Sequence, residues 1–359
     1  MRDGRIAYLG PSDGAPDATD ADTIDASGAT IVPGLVDCHA HFTGLGGANW
    51  LARFGDPEAE LLSRGDDASR ALARMGILTA RDVGAPHRLN LRIRDRVRGR
   101  TDAPEILAAG TWLARRDKFP PFVVFVDSGD ELRDAAVAEM DAGADLVKIA
   151  ADAGRTGDEV TFTADELTPT VEAVHARGKR ITAHAQGKGA AVAVAAGVDS
   201  VEHGFGVDAT TAARMAGRTA LVPTLGVLES FVGFASTDGG RFAESKAASE
   251  ALREQAFAAV RAAKAAGVRI ATGSDFGGGS VRPGHLAWEV EMLVRAGLEP
   301  HEALASATWI GGELLGLRDA GNLAVGGPAD VVLVHGDPLA DPAALWRVWR
   351  VYHRGARVG

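Results

Sequence analysis

The chain has 359 residues, 46% hydrophobic and 24% charged, with a formal net charge of −10. That length suits one large α/β unit with a small appendage, and the acidic balance, with no long basic stripe, speaks against a nucleic-acid partner. Cys38 is the single cysteine, so no internal disulfide can form and a cytoplasmic location is expected. No run of about 18 apolar residues marks a membrane span, and the polar start Met1-Arg2-Asp3-Gly4 is not that of a signal peptide.

In chain order, Arg5–Gly10 and Thr23–Asp25 read as short strand-like pieces. Next come apolar runs at Ile31–Cys38, Ile77–Asp82, Glu105–Ala109, Leu146–Ala150, Arg180–Ala183, Ser200–Glu202, Ala220–Pro223 and Arg269–Thr272. Most lack strict alternation, the pattern of strands covered on both faces. Helical stretches alternate with them. Ala164–Arg177 opens on the capping box Thr163-Ala164-Asp165-Glu166 and closes at Gly178, with Pro169 inside as a candidate kink. Ala247–Ala266 closes at Gly267. The Arg-rich run 91–100 places its arginines at every second position, which spreads them around a helix as a solvated segment. Ala329–Val334 and Val348–Val351 end the chain as further strands. The predicted fold is a (β/α)8 TIM barrel over residues 34–320. The two ends, 1–33 and 321–359, form a small β subdomain. A doubly wound open sheet is the runner-up; it lacks a Gly-rich phosphate turn after its first strand.

Chemistry concentrates at the C-terminal ends of the strands, where barrel sites are built. His39 and His41 lie two apart, so they project from one face and could share a metal ion. His184 and His203 follow the fifth and sixth strands. Singly, each could simply bond backbone; four histidines at three strand ends are better explained by a metal site. Asp275 ends the eighth strand, where a carboxylate can bind metal and take a proton from water, or serve a turn. Lys148 lies in an apolar strand. Either it snorkels to solvent, or burial lowers its pKa and the neutral amine takes up CO₂ as a carbamate. Cys38, between inward-facing Asp37 and His39, should face the helices rather than act as a nucleophile.

Together these segments resemble the amidohydrolase superfamily. Val32-Pro33-Gly34-Leu35-Val36-Asp37-Cys38-His39-Ala40-His41 is similar to its opening motif, and Gly76–Gly84 to its second strand. Ala142–Ile149 resembles the carboxylated-lysine strand. Thr182–Ala185, Ser200–Gly204 and Gly273-Ser274-Asp275 resemble the later ligand strands, and Gly327–Leu333 with Asp337-Pro338-Leu339 the C-terminal strands. The resemblance spans essentially the whole chain and is closest to the imidazolonepropionase-like and prolidase-like branch. It implies a hydrolase of amide bonds in small molecules such as dipeptides or N-acyl amino acids. It implies two divalent ions, zinc before Mn²⁺, Fe²⁺ or Co²⁺: His39, His41 and Asp275 on one, His184 and His203 on the other, carboxylated Lys148 between them. Asp275 would be the general base and acid, and His203 would assist catalysis. A lactonase, cyclic-imide hydrolase or deaminase would keep the fold, and a metal-free scaffold barrel would lose the chemistry.

Some features depart from the resemblance. Relatives usually carry more strand residues ahead of a segment like Met1–Gly10, so either the small subdomain lacks its first strands or the chain start is truncated. The Gly-Gly-His element that many relatives show near 110–116 is missing, and the two tyrosines, Tyr8 and Tyr352, lie outside the barrel. Substrate contacts are expected from two apolar loops, 119–125 and Leu225–Phe234, through Phe231 and Phe234. Arg115 or Arg116 would pair with a carboxylate and His285 would reach the mouth. The same loops could serve a homo-oligomer interface, and a homo-oligomer is expected.

Overall fold

The computed structural model describes residues 1–16, 23–47, 49–120, 122–153, 159–237 and 245–359. Its strands are β1 (Ala29–Pro33), β2 (Leu35–Ala40), β3 (Ile77–Asp82), β4 (Glu105–Ala108), β5 (Leu113–Arg115), β6 (Val124–Val126), β7 (Leu146–Ala150), β8 (Arg180–Ala185), β9 (Ser200–His203), β10 (Ala220–Val222), β11 (Val331–His335), β12 (Val348–His353) and β13 (Ala356–Arg357). The expected first strand is two strands divided at Gly34. β1 joins the antiparallel sheet β1-β11-β12-β13, while β2 opens the parallel sheet β2-β3-β4. A second parallel sheet runs β10-β9-β8-β7-β5-β6. Every residue of β2, β3, β7 and β9 is buried, which explains why they read as unbroken apolar runs.

Backbone bonds cross between these sheets. Asp145 N donates to Ala108 O, and Leu221 N donates to Arg269 O. Cys38 N donates to Thr272 O, and Asp275 N to His39 O. Residues 269–276 therefore lie between β10 and β2, held by single bridges rather than a ladder. Gly273 permits this close approach: a Cβ there would stand 2.5 Å from His39 Cβ.

Helices separate the parallel strands, among them Glu58–Arg74, Gly129–Asp141, Ala164–Ala176, Gly187–Ala196, Lys246–Ala265 and Leu286–Ala296. Thr163 and Glu166 form the expected capping box, and Pro169 sits within Ala164–Ala176 without ending it. The basic run 91–100 is neutralised locally: Arg92 pairs with Glu58, Arg94 with Asp145, Arg96 with Asp66, Arg98 with Asp95 and Arg100 with Asp102.

Two expectations need correction. Arg5–Gly10 and Thr23–Asp25 are not strands. Residues 4–6 meet 326–329 through an isolated bridge, Arg5 with Pro328, rather than a ladder, and Asp25 turns the chain by accepting from the N–H and hydroxyl of Ser27. Leu225–Thr237 is a helix, not a loop. Leu225, Leu228 and Val232, spaced three and four apart, are its buried stripe. Among the described residues, no helix is long and apolar enough to cross a membrane.

Candidate metal centre and substrate cavity

In β2 and just beyond it, alternation sends Asp37, His39 and His41 to one side and Cys38 to the other. Cys38 packs outward, its Sγ 3.8 Å from Gly311 O in the helix Trp309–Leu315, and burial pushes its thiol up to about 12. Asp37 accepts from Ser274 Oγ at 2.5 Å and Ser274 N at 2.9 Å, which pins the 269–276 segment to β2. Asp275 Oδ1 then stands 3.6 Å from His39 Nε2 and 3.5 Å from His41 Nε2. These three residues offer ligand atoms within 4.8 Å of one another.

The remaining histidines complete the cluster. The ring of His203 lies 5.0 Å from that of His39 and 4.5 Å from that of His184. Lys148, from β7, lines the same cavity, as do all six expected metal residues. Three of these imidazoles are oriented through Nδ1. His39 Nδ1 is 2.6 Å from Glu202 Oε2, His41 Nδ1 donates to Gly84 O at 3.0 Å, and His203 Nδ1 is 2.7 Å from Thr224 Oγ1. That leaves each Nε2 for a ligand.

Burial governs the electrostatics of the site. Burial pushes His39 down to about 4 and His184 to about 3, and holds His41 and His203 well below the usual histidine range. Four lone pairs are therefore available near neutrality. Burial raises Asp275 to about 8 despite nearby Lys148. Lys148 is 4% exposed, and its Nζ has no hydrogen-bond partner among the described residues. Burial lowers this amine to about 8, against the pull of Glu202.

Beneath the histidines lies a network that the sequence reading passed over. Glu202, fully buried, accepts from Arg81 Nη2 at 2.7 Å and Ser200 Oγ at 2.8 Å, and from the Thr182 hydroxyl. Burial opposes its ionisation, but Arg81 and His39 outweigh that and hold the carboxyl well below its ordinary range. Arg81 Nε also donates to Cys38 O at 2.5 Å. The signal was there: a charged residue in a strand buried on both faces must point into the interior, and Ser200 and Glu202 share a face two apart. Backbone strain marks the same region. His203, Thr224 and Asp275 all have positive φ, at 71°, 49° and 51°, where non-glycine residues rarely sit.

Above the histidines is a cavity of about 330 Å³. Trp112 stands 4.7 Å from the His41 ring, Phe119 5.2 Å from His184 and Phe205 5.6 Å from His203. The indole fits because residue 84 is glycine; a Cβ there would meet Trp112 Nε1 at 2.0 Å. Phe122 stacks on Phe54 at 4.6 Å, and Phe231 also lines the space. Phe234 is one step back, 6.5 Å from Phe231. Arg115, Arg116 and His285 are not among the lining residues. Arg115 pairs with Glu166 at 2.6 Å, Arg116 with Asp127 at 2.8 Å, and His285 packs on Trp346 at 5.2 Å.

Comparison with known proteins accounts for this arrangement. Residues 30–358 match the amidohydrolase family. An uncharacterised protein of Mycobacterium tuberculosis is 33% identical over 345 residues, covering 94% of this chain and 88% of that one. The ochratoxinase of Aspergillus niger is 29% identical over 363 residues, covering 89% and 74%. The crystal structure of a putative prolidase from Bifidobacterium longum superposes with a TM-score of 0.86 at 27% identity, covering 99% of this chain and 88% of that one. A whole-length match, a mixed α/β fold with parallel sheets and a His-His-Asp cluster at the strand ends place the chain in the amidohydrolase family, as a hydrolase acting on carbon–nitrogen bonds.

Proposed function

We propose that this protein hydrolyses the amide bond of a small molecule at a divalent metal centre. The wall of the site would be an eight-stranded barrel, formed by β2, β3, β4, β7, β8, β9, β10 and the 269–276 segment. The bonds that join Ala108 to Asp145, Leu221 to Arg269 and Cys38 to Thr272 support that reading. The observation that carries the function is the convergence of four imidazoles, the Asp275 carboxyl and the Lys148 amine on one cavity, the amine without a hydrogen-bond partner among the described residues. Such a set is poorly satisfied by itself and well satisfied by cations. His39, His41 and Asp275 would hold one ion, and His184 and His203 a second. Lys148, carboxylated by CO₂, would join them. The mixed nitrogen and oxygen donors suit zinc and also admit manganese, iron or cobalt.

The metal, when bound, supplies Lewis acidity for the scissile carbonyl and lowers the pKa of water. The chain's own residues do the rest. Asp275 accepts a proton as water oxygen adds to the carbonyl carbon, then returns it to the nitrogen as the C–N bond breaks. Glu202 and Thr224 keep the His39 and His203 rings in one orientation. The aromatic wall excludes bulk water from the reacting carbonyl.

The test is removal and return of metal. Chelated enzyme should lose amide hydrolysis, and zinc or manganese should restore it. His39→Ala should reduce turnover by about 10³-fold or more with the circular dichroism spectrum retained. Full activity in protein free of transition metal would overturn the mechanism.

A further inference from the structure

We infer that the substrate is uncharged and carries an aromatic ring beside its scissile bond, seated against Trp112, Phe119 and Phe122. This rests on the amide-hydrolase reading above and narrows it. Three aromatic side chains touch the candidate ligand rings from different sides, Trp112 on His41, Phe119 on His184 and Phe205 on His203. A substituent on either side of the reacting carbonyl therefore meets carbon first. Trp112, Phe119 and Phe122 form one continuous surface, with ring centroids 6.0 and 5.0 Å apart across Trp112, a geometry that receives a further ring edge-on or offset.

The charges point the same way. Among the described lining residues, the formally ionic side chains other than histidine are Lys148 and Asp275, both within the candidate metal set. The arginines best placed in sequence to clamp a carboxylate are committed elsewhere, Arg115 to Glu166, Thr161 O and Asp127 O, and Arg116 to Asp127. Among the described residues, a carboxylate on the substrate would enter the apolar wall without a counter-ion, at substantial cost. The wall does offer uncharged polar groups, and the indole N–H of Trp112 is one, buried and without a hydrogen-bond partner among the described residues. Gln186 lines the cavity, is 3% exposed, and its side-chain oxygen has no hydrogen-bond partner among the described residues. A buried amide oxygen of this kind suits an uncharged donor on the ligand, such as an N–H.

Three compounds with the same scissile acetamide test this. N-acetylphenylalanine carries ring and carboxylate, N-acetyl-2-phenylethylamine carries the ring alone, and N-acetylethylamine carries neither. With zinc-loaded enzyme, the ring-only compound should show kcat/KM at least about tenfold above each of the others. Phe119→Ala and Phe122→Ala should narrow its advantage over N-acetylethylamine to less than about threefold, mainly through KM. Preference for the acid, or equal values for all three, would overturn the inference. If none is turned over, the amide-hydrolase reading is what fails. Calorimetric dissociation constants for the same three compounds then decide the matter: tightest binding by the ring-only compound upholds it, and any other order overturns it.

Discussion

The floor and the wall of the cavity are built on opposite principles. The floor residues sit on or at the ends of the central strands, and most polar atoms among them are spoken for. Asp37 is tied to Ser274, and Glu202 to Arg81, Ser200 and Thr182. The wall is carried by the 112–125 stretch and the helix Leu225–Thr237, and its aromatic side chains meet one another through ring contacts. Hydrogen bonds fix direction as well as distance, whereas ring packing fixes distance and tolerates rotation. The floor can therefore hold one geometry while the wall changes its occupant.

The first way to break this comparison is at Lys148. Lys148→Ala should lose metal and cut turnover by about 10²–10⁴-fold, and short carboxylates should restore part of it by standing in for a carbamate. Metal content by elemental analysis, with and without formate, checks this; unchanged metal in the variant would place Lys148 outside the centre.

A smaller effect is expected beneath the ligands. Glu202→Gln keeps the size of the side chain but removes the charge that orients His39 and balances Arg81. Metal affinity, followed by competition with a chelator, should fall about 10–100-fold. No change would show that the buried network serves folding alone.

The smallest expected effect lies behind the wall. Glu289, on the helix Leu286–Ala296, accepts from Gly226 N at 2.7 Å and so caps the helix Leu225–Thr237 from outside. Burial pushes its carboxyl up to about 8. The folded protein thus keeps a proton that the unfolded chain releases near 4.5, so stability falls as pH rises between these values. Glu289→Gln should flatten that slope. The variant should match the parent near pH 5 and gain about 1–3 kcal/mol on it near pH 8. Urea unfolding at both values reads it; parallel pH profiles would show that Glu289 does not titrate in this window.

Much of the floor was legible in the sequence because strand ends leave periodic traces. His39 and His41 two apart, His184 and His203 closing apolar runs, and Lys148 inside one are patterns of spacing, and the structure gathers all of them on one cavity. Glu202 and Arg81 are readable by the same rule, as charged residues inside strands buried along their whole length. Thr224 was not readable, since its role depends on a backbone conformation that no residue type signals. The wall was half legible. Its aromatic character is evident, but residues 225–237 read as a loop in the sequence, where Gly226 and Gly233 interrupt an apolar stripe spaced three and four apart. Arg115 and Arg116 show the other limit: sequence places them near the third strand's end, but only the fold reveals that Asp127 and Glu166 reach them first.

The left-handed turns at His203, Thr224 and Asp275 carry a consequence for anyone who would make this protein hardier. Holding a β-branched residue such as Thr224 at φ 49° costs about 1–2 kcal/mol, and glycine would relieve it. Glycine would also delete the hydroxyl that steadies His203. The bend and the alignment are one feature, so the stability reserve at these strand ends is closed to engineering, and hardening has to come from the outer helices and the antiparallel sheet of the two chain ends.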